Sequence, residues 1–427
     1  MARHVLRLGL VLGLAFAAVT AAPAQNDKGP PQKQAPPANN GPPRFDEDYR
    51  QFFKKPQTVP EFWSALEFEI DVGRFDLAAG HLHALLAKKP GDQELIDLHD
   101  KYGMATFLRL RNIRNWSEVP AANAQAKKDV DELIQRITTA VQKKLSDPKR
   151  IELFVRNLSA TPEERAYALR ELYRSGAQVI PYLIDALRKA EGADKLPILR
   201  ALQSLVRPET VPPLAAALDS NEPELQIDLI EIFRKRAATE VVPYLWSLAG
   251  LPSRNEAVRN KAAAALAQFL DVPASRLPPA KVELTRLAER YYQHRVKYAN
   301  PDAVTIWRWD GQHVVAGWPG APTVPASKAE EYDGLRFARQ ALEIDPAYRP
   351  AQVVLVSIAL EKAAEGGLDK PLSKAVPAVN ALLATAGGDL LNAVLERAIK
   401  DKRTPVVLGA VRALGEKAEV SAVRPRG

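Results

Sequence analysis

The chain predicts an all-α fold: an α-solenoid of antiparallel helix pairs with one inserted β-hairpin. Three observations carry that expectation. Three helix starts repeat a short phrase: Val179-Ile180-Pro181-Tyr182-Leu183, Thr210-Val211-Pro212-Pro213-Leu214 and Val241-Val242-Pro243-Tyr244-Leu245. Pro181, Pro212 and Pro243 are evenly spaced at roughly thirty residues, room for a helix, a turn and a second helix but not for a separate domain. Behind each proline, apolar residues recur three or four apart, which is the period of one helix face. Late in the chain that period gives way to a short run centred on Asp310-Gly311, the spelling of a hairpin turn.

Taken from the start, Arg3 and Arg7 precede an apolar run from Leu8 to Ala22, and Ala22-Pro23-Ala24-Gln25 places small residues at the positions before a cut after Ala24. Residues 1–24 therefore read as a secretory signal peptide, and the expected location is the bacterial periplasm or cell envelope. The run is short for a bilayer span, so no transmembrane span is expected after cleavage; an uncleaved anchor is the competing reading. The chain has no cysteine, which excludes a disulfide-stapled mini-domain. It must hold itself by its core, and 46% of its 427 residues are apolar, enough at this length.

Residues 25–57 form a Pro-rich segment with Pro30-Pro31, Pro36-Pro37 and Pro42-Pro43 and few aliphatics. Such composition cannot bury enough surface to offset its ordering entropy and reads as a disordered linker. Helices begin at Thr58-Val59-Pro60-Glu61, a cap followed by proline in the first turn. Over 58–147, Gly73-Arg74-Phe75-Asp76-Leu77-Ala78, followed by Leu82, Leu85, Leu86 and Pro90, resembles the second half of a tetratricopeptide repeat. Phe107, Leu108, Leu110 and Ile113 predict a further helix, and Val130, Leu133, Ile134, Ile137 and Val141 another. Arg109, Arg111 and Arg114 read as a solvated face.

Residues 148–298 carry the repeated phrases. Proline in the first turn loses no hydrogen bond and its fixed backbone angle suits a helix start. The stripes are Leu183 and Leu187, Leu214 and Leu218, and Leu245 and Leu248. The partner helices bring Leu169 and Leu172, then Ile198, Leu199 and Leu202, then Leu229, Ile230 and Phe233. Thr161 with Glu164 spells a capping box. Val282 to Tyr298 reads as one more helix. These units resemble the HEAT-repeat family over about 150 to 270. The resemblance implies antiparallel helix pairs used as a protein-interaction scaffold and implies no chemistry.

Residues 299–328 read as a Trp-rich hairpin inserted among helices. A two-residue Asp310-Gly311 turn would set Trp309 opposite Gln312 and Trp307 opposite Val314. By the period-two rule Trp318 then shares the face of Trp307 and Trp309, with Arg308 and His313 on the other side. That aromatic face either docks on neighbouring helices or offers a stacking platform for a sugar or peptide, so Trp307, Trp309 and Trp318 are the candidate binding residues.

Residues 329–427 return to helices of tetratricopeptide-like and HEAT-like pattern. Ala338 through Pro346, with Tyr348, Pro350 and Ala351, is a second tetratricopeptide echo. Leu390, Leu391, Val394, Leu395 and Ile399 predict one helix, and Val406, Val407, Val411 and Leu414 another. Val420 through Pro425 is expected to open an incomplete further unit.

No nucleophile elbow, phosphate loop, dinucleotide fingerprint or His-Glu-x-x-His motif occurs. His81 and His83, two apart on a helix, point to different sides and are not read as metal ligands, with or without His99. Glu67, Glu69 and Asp71 read as a solvated face. The expectation is a non-enzyme with no catalytic residues, cofactor or metal. The net charge of +8 is spread along the chain and includes Arg3 and Arg7 of the signal. An exported chain rarely meets nucleic acid, so a protein partner is expected, with carbohydrate or cell wall as the alternative.

Overall fold

The computed structural model describes residues 55–365, 382 and 387–423. The signal peptide, nearly all of the Pro-rich segment and Arg424 to Gly427 lie outside them. The described chain is mostly helical with one two-stranded antiparallel sheet. No helix among the described residues is long and apolar enough to cross a membrane.

The first helices are α1 (Val59–Asp71), α2 (Phe75–Ala87), α3 (Asp92–Tyr102), α4 (Met104–Leu110) and α5 (Pro120–Leu145). Thr58 caps α1 in a full capping box with Glu61. These helices bury their own core around Trp63, which is fully buried with its ring 4.6 Å from Phe107 and 5.5 Å from Tyr102. Leu108 departs from expectation, being exposed, and Ile113 falls beyond the end of α4. Arg111 pairs with Asp131 at 2.9 Å on the surface.

A second core starts at Ile151 and runs to Ala413. Its helices are α6 (Pro148–Arg156), α7 (Pro162–Ser175), α8 (Ile180–Lys189), α9 (Lys195–Leu205), α10 (Val211–Ala216), α11 (Pro223–Arg236), α12 (Val242–Gly250), α13 (Glu256–Leu270) and α14 (Ala280–Tyr292). Each repeated proline lies in a first helical turn, and Thr161 caps α7 with Glu164. Packing passes between near neighbours: α8 meets α9, α9 meets α11, α11 meets α13, and α12 meets both α13 and α14. Leu183, Leu187, Leu214, Leu218, Leu245, Leu248, Leu229, Ile230 and Phe233 are all buried. Leu199 is only half-buried, because its turn of α9 presents Ile198 and Leu202 inward instead. Helix α14 ends at Tyr292, short of the expected Tyr298, and His294 beyond it has φ +51°.

The strands β1 (Trp307–Trp309) and β2 (Val314–Ala316) pair Trp307 with Ala316 and Trp309 with Val314. The expected register is therefore wrong by two residues. Asp310-Gly311 is not a two-residue turn but opens a four-residue loop, because the Asp310 side chain accepts from the backbone N–H of both Gln312 and His313 at 2.8 Å. A shift of two keeps the same faces, so Trp307, Trp309 and Val314 still point together toward α8 and α10.

The chain closes with α15 (Ala326–Ile344), α16 (Arg349–Glu365), α17 (Gly387–Lys400) and α18 (Thr404–Val423). Helix α15 packs along α14, and α16 carries the pair α17 and α18. Leu390, Val394 and Val406 are buried, whereas Ile399 and Val411 are exposed at the outer side of that pair. Val420 to Val423 continue α18, and Arg424 and Pro425 of the expected further unit lie outside the described residues.

Candidate binding cleft beside the hairpin

The three tryptophans do not act as one face. Trp307 is buried against the second core, and Trp309 is half-buried there with the Arg188 guanidinium 5.2 Å from its ring centre. Arg188 also donates to the Gln312 carbonyl at 2.6 Å and forks onto Glu222. His313 Nδ1 lies 2.9 Å from the Asp185 carboxylate, so the loop is tied to α8 by two polar contacts. His313 is thus a strap, and Arg308, half-buried in β1, holds a buried Nε without a hydrogen-bond partner among the described residues.

Trp318 is separated from the other two by Gly317, whose φ of +79° breaks the strand alternation. The following turn closes Trp318 against Ala321 through paired backbone hydrogen bonds of 2.8 and 2.9 Å. Its side chain is 46% exposed and meets Tyr332 edge-on at 5.7 Å. The expected single platform is corrected: two tryptophans fasten the hairpin, and the third stands at a cleft.

That cleft has a volume of about 590 Å³ and is walled by Trp318, the segment around Leu251 and Arg254, and one side of α15. Such a volume suits a small ligand or a short peptide. Helix α15 supplies Lys328, Glu331, Tyr332, Leu335, Arg336, Arg339, Gln340 and Glu343 at helical spacing. The helix reaches this position because Gly334 allows close approach. A Cβ there would stand 2.8 Å from Ile358 Cδ1 and 3.2 Å from Tyr291 Cβ, and Tyr291 stacks on Phe337 at 5.8 Å.

Arg336 donates to Asp219 Oδ2 at 2.6 Å and sits 5.1 Å over the Tyr244 ring. Behind it lies Asp333, whose carboxyl is pushed up to about 6 by burial, with Arg336 opposing that shift and Asp219 adding to it. Burial also holds the Tyr244, Tyr291, Tyr298 and Tyr332 phenols above the ordinary tyrosine range, with Asp333 adding its charge to each of the four. These phenols stay neutral near pH 7 and serve as hydrogen-bonding groups. Among the described residues, Arg336 Nε, Gln340 Oε1 and the Tyr298 hydroxyl are buried out of contact with solvent and without a hydrogen-bond partner, which has a free-energy cost to the fold.

A smaller recess nearby contains Ser327, His294 and Glu330, residue types that also build nucleophilic sites. There His294 Nδ1 meets Glu330 Oε2 at 2.5 Å, but Nε2 turns toward Glu361 at 3.9 Å. No hydrogen bond joins Ser327 to His294 among the described residues. Elsewhere His83 meets Asp129 at 3.0 Å while His81 packs 6.4 Å from Phe62, so the two histidines diverge.

Asp333, Arg336 and Gln340 were not legible as site residues. The signal was present as polar residues three and four apart on the margin of an apolar stripe, but nothing in the sequence says that Asp219 and Trp318 meet that margin.

We expect Trp307→Ala to cost about 3 to 5 kcal/mol, as for other large buried aromatics, and Trp309→Ala less. Trp318→Ala is expected to stay within about 0.5 kcal/mol of the parent. Chemical denaturation of the three single variants checks this order.

No family model, curated protein or solved structure matches the chain.

Proposed function

We propose that this chain is an exported, non-enzymatic helical-repeat scaffold that binds a segment of a partner protein in the cleft beside Trp318. The repeated proline starts and the neighbour-to-neighbour packing of α8 through α14 support a HEAT-like solenoid, and α1 with α2 supports a degenerate tetratricopeptide-like unit. Export rests on the Arg3 to Ala24 spelling. The observation that carries the binding reading is the 46% exposed Trp318 at the mouth of a cleft whose wall also brings Arg254 and Arg339.

Carbohydrate binding through the hairpin is the second reading, favoured by the same exposed indole. The burial of Trp307 removes the extended aromatic face that a glycan chain would need.

A photo-crosslinking residue at position 318 tests the reading in the full chain within the cell envelope. Crosslinks to one protein, lost when Arg339 is also changed to Glu, are expected. Crosslinks to glycan alone would replace this function with the second.

A further inference from the structure

The wall of the cleft contains enough chemistry to name the kind of segment it takes, an inference that rests on the protein-binding reading above. Five cations line it, Arg254, Lys328, Arg336, Arg339 and Lys362, against three carboxylates, Asp219, Glu331 and Glu343. Several of these are already satisfied within the protein. Lys328 and Lys362 share Glu331, and Arg336 holds Asp219. Arg254 reaches only neutral groups, donating through Nη1 to the Ser220 carbonyl and Asn221 Oδ1 at 2.8 Å. Arg339 is exposed and has no carboxylate partner among the described residues. Two guanidinium groups therefore face the cleft against one remaining wall carboxylate, Glu343, an excess of one positive charge. Guanidinium groups with open forks select carboxylates.

Length follows from the helix. From Tyr332 to Glu343 the wall runs along α15 for roughly 16 Å at 1.5 Å per residue, which accommodates about five residues of extended chain at 3.3 Å each. Along that line the groups fall in a fixed order. Trp318 and Tyr332 stand at one end as an aromatic contact. Arg339 lies seven residues, roughly 10 Å, farther along the helix, about two-thirds of the way to Glu343.

We propose that the cleft recognises an extended acidic segment of a partner protein. An apolar side chain rests on Trp318, and one or two acidic side chains reach Arg339 and Arg254. A neutral glycan leaves both guanidinium groups unmatched and becomes an outcome of the test.

The test uses the full chain and acetylated, amidated fluorescent pentapeptides, Ac-Phe-Ala-Ala-Asp-Glu-NH2 and its reversed order, each with a lysine counterpart in which both acids are replaced. One acidic order is expected to bind at least tenfold tighter than its lysine counterpart, with affinity falling as salt rises. Arg339→Glu, at an exposed position that leaves folding intact, is expected to abolish that preference, and Trp318→Ala to weaken both peptides together. Equal binding of acidic and lysine peptides, or preference for lysine, overturns acidic recognition while leaving a peptide-binding cleft in place. Saturation by a chito-oligosaccharide with no peptide binding overturns this inference and the protein-binding reading together, as does binding by neither.

Discussion

Truncating Leu229 to Ala is expected to cost about 3 to 5 kcal/mol, the upper part of the range for fully buried leucines. Leu229 has no exposed surface and sits on α11, which packs on α9 before it and α13 after it. Deleting the side chain leaves a cavity between elements that are each held by two neighbours, so neither side can collapse into it freely. Leu199→Ala is the matched control. Leu199 is half-buried at the margin of the same core, and its truncation is expected to cost about 1 kcal/mol. Urea unfolding of both variants reads the difference. Equal losses would mean that α9 is rotated from the position described here.

Replacing Asp333 with Asn is expected to raise stability by up to about 3 kcal/mol at pH 7 to 8, and to change it little below pH 4. In the folded chain burial lifts this carboxyl to about 6, whereas an unfolded aspartate titrates near about 3.9. The folded state therefore holds the proton more tightly than the unfolded state. Stability associated with the group is fully present below the unfolded value and is lost as pH rises through the folded one. The groups facing it are Arg336 and Asp219, with the Tyr244, Tyr291, Tyr298 and Tyr332 phenols around them. Arg336 favours the charged form and Asp219 opposes it, so the pair leaves burial as the dominant cause. Denaturation of parent and Asp333→Asn from pH 4 to 8 should show a declining parent and a flatter variant. Parallel curves would show that water or Arg336 solvates the carboxylate in the fold. Acids held below their ordinary range by partners, such as Asp345 beside Lys281 and Glu231 beside Lys261, act in the opposite sense and only at lower pH. They are common to both proteins and cancel in the comparison.

The sequence by itself determined the helices of the second core and most of their inward faces, because those depend on spacing within one segment. Pro181, Pro212 and Pro243 mark starts by local backbone chemistry, and a leucine three or four residues on must share a face wherever the helix goes. The Thr58 and Thr161 caps were legible for the same reason, each needing partners only three residues away. Where tertiary contacts compete with local rules, the sequence misled. The Asp310-Gly311 pair spells a two-residue turn, but the Asp310 carboxylate binds two backbone amides while Arg188 and His313 pull the loop onto α8, and the register moves by two. Period two placed Trp318 beside Trp307 and Trp309, yet Gly317 turns the chain before that rule can reach it.

The cleft was decided only by the tertiary structure. Asp219, Arg254, Trp318 and Arg336 come from four separate segments, and no local spacing relates them. What brings them together is the close packing of α15 on α14, permitted at Gly334, and the docking of the hairpin across α8 and α10. Burial then gives Asp333 its high proton affinity and, among the described residues, leaves Arg336 Nε and Gln340 Oε1 without partners. These properties arise from dielectric surroundings and from distances between remote segments, which a linear pattern of residues does not contain.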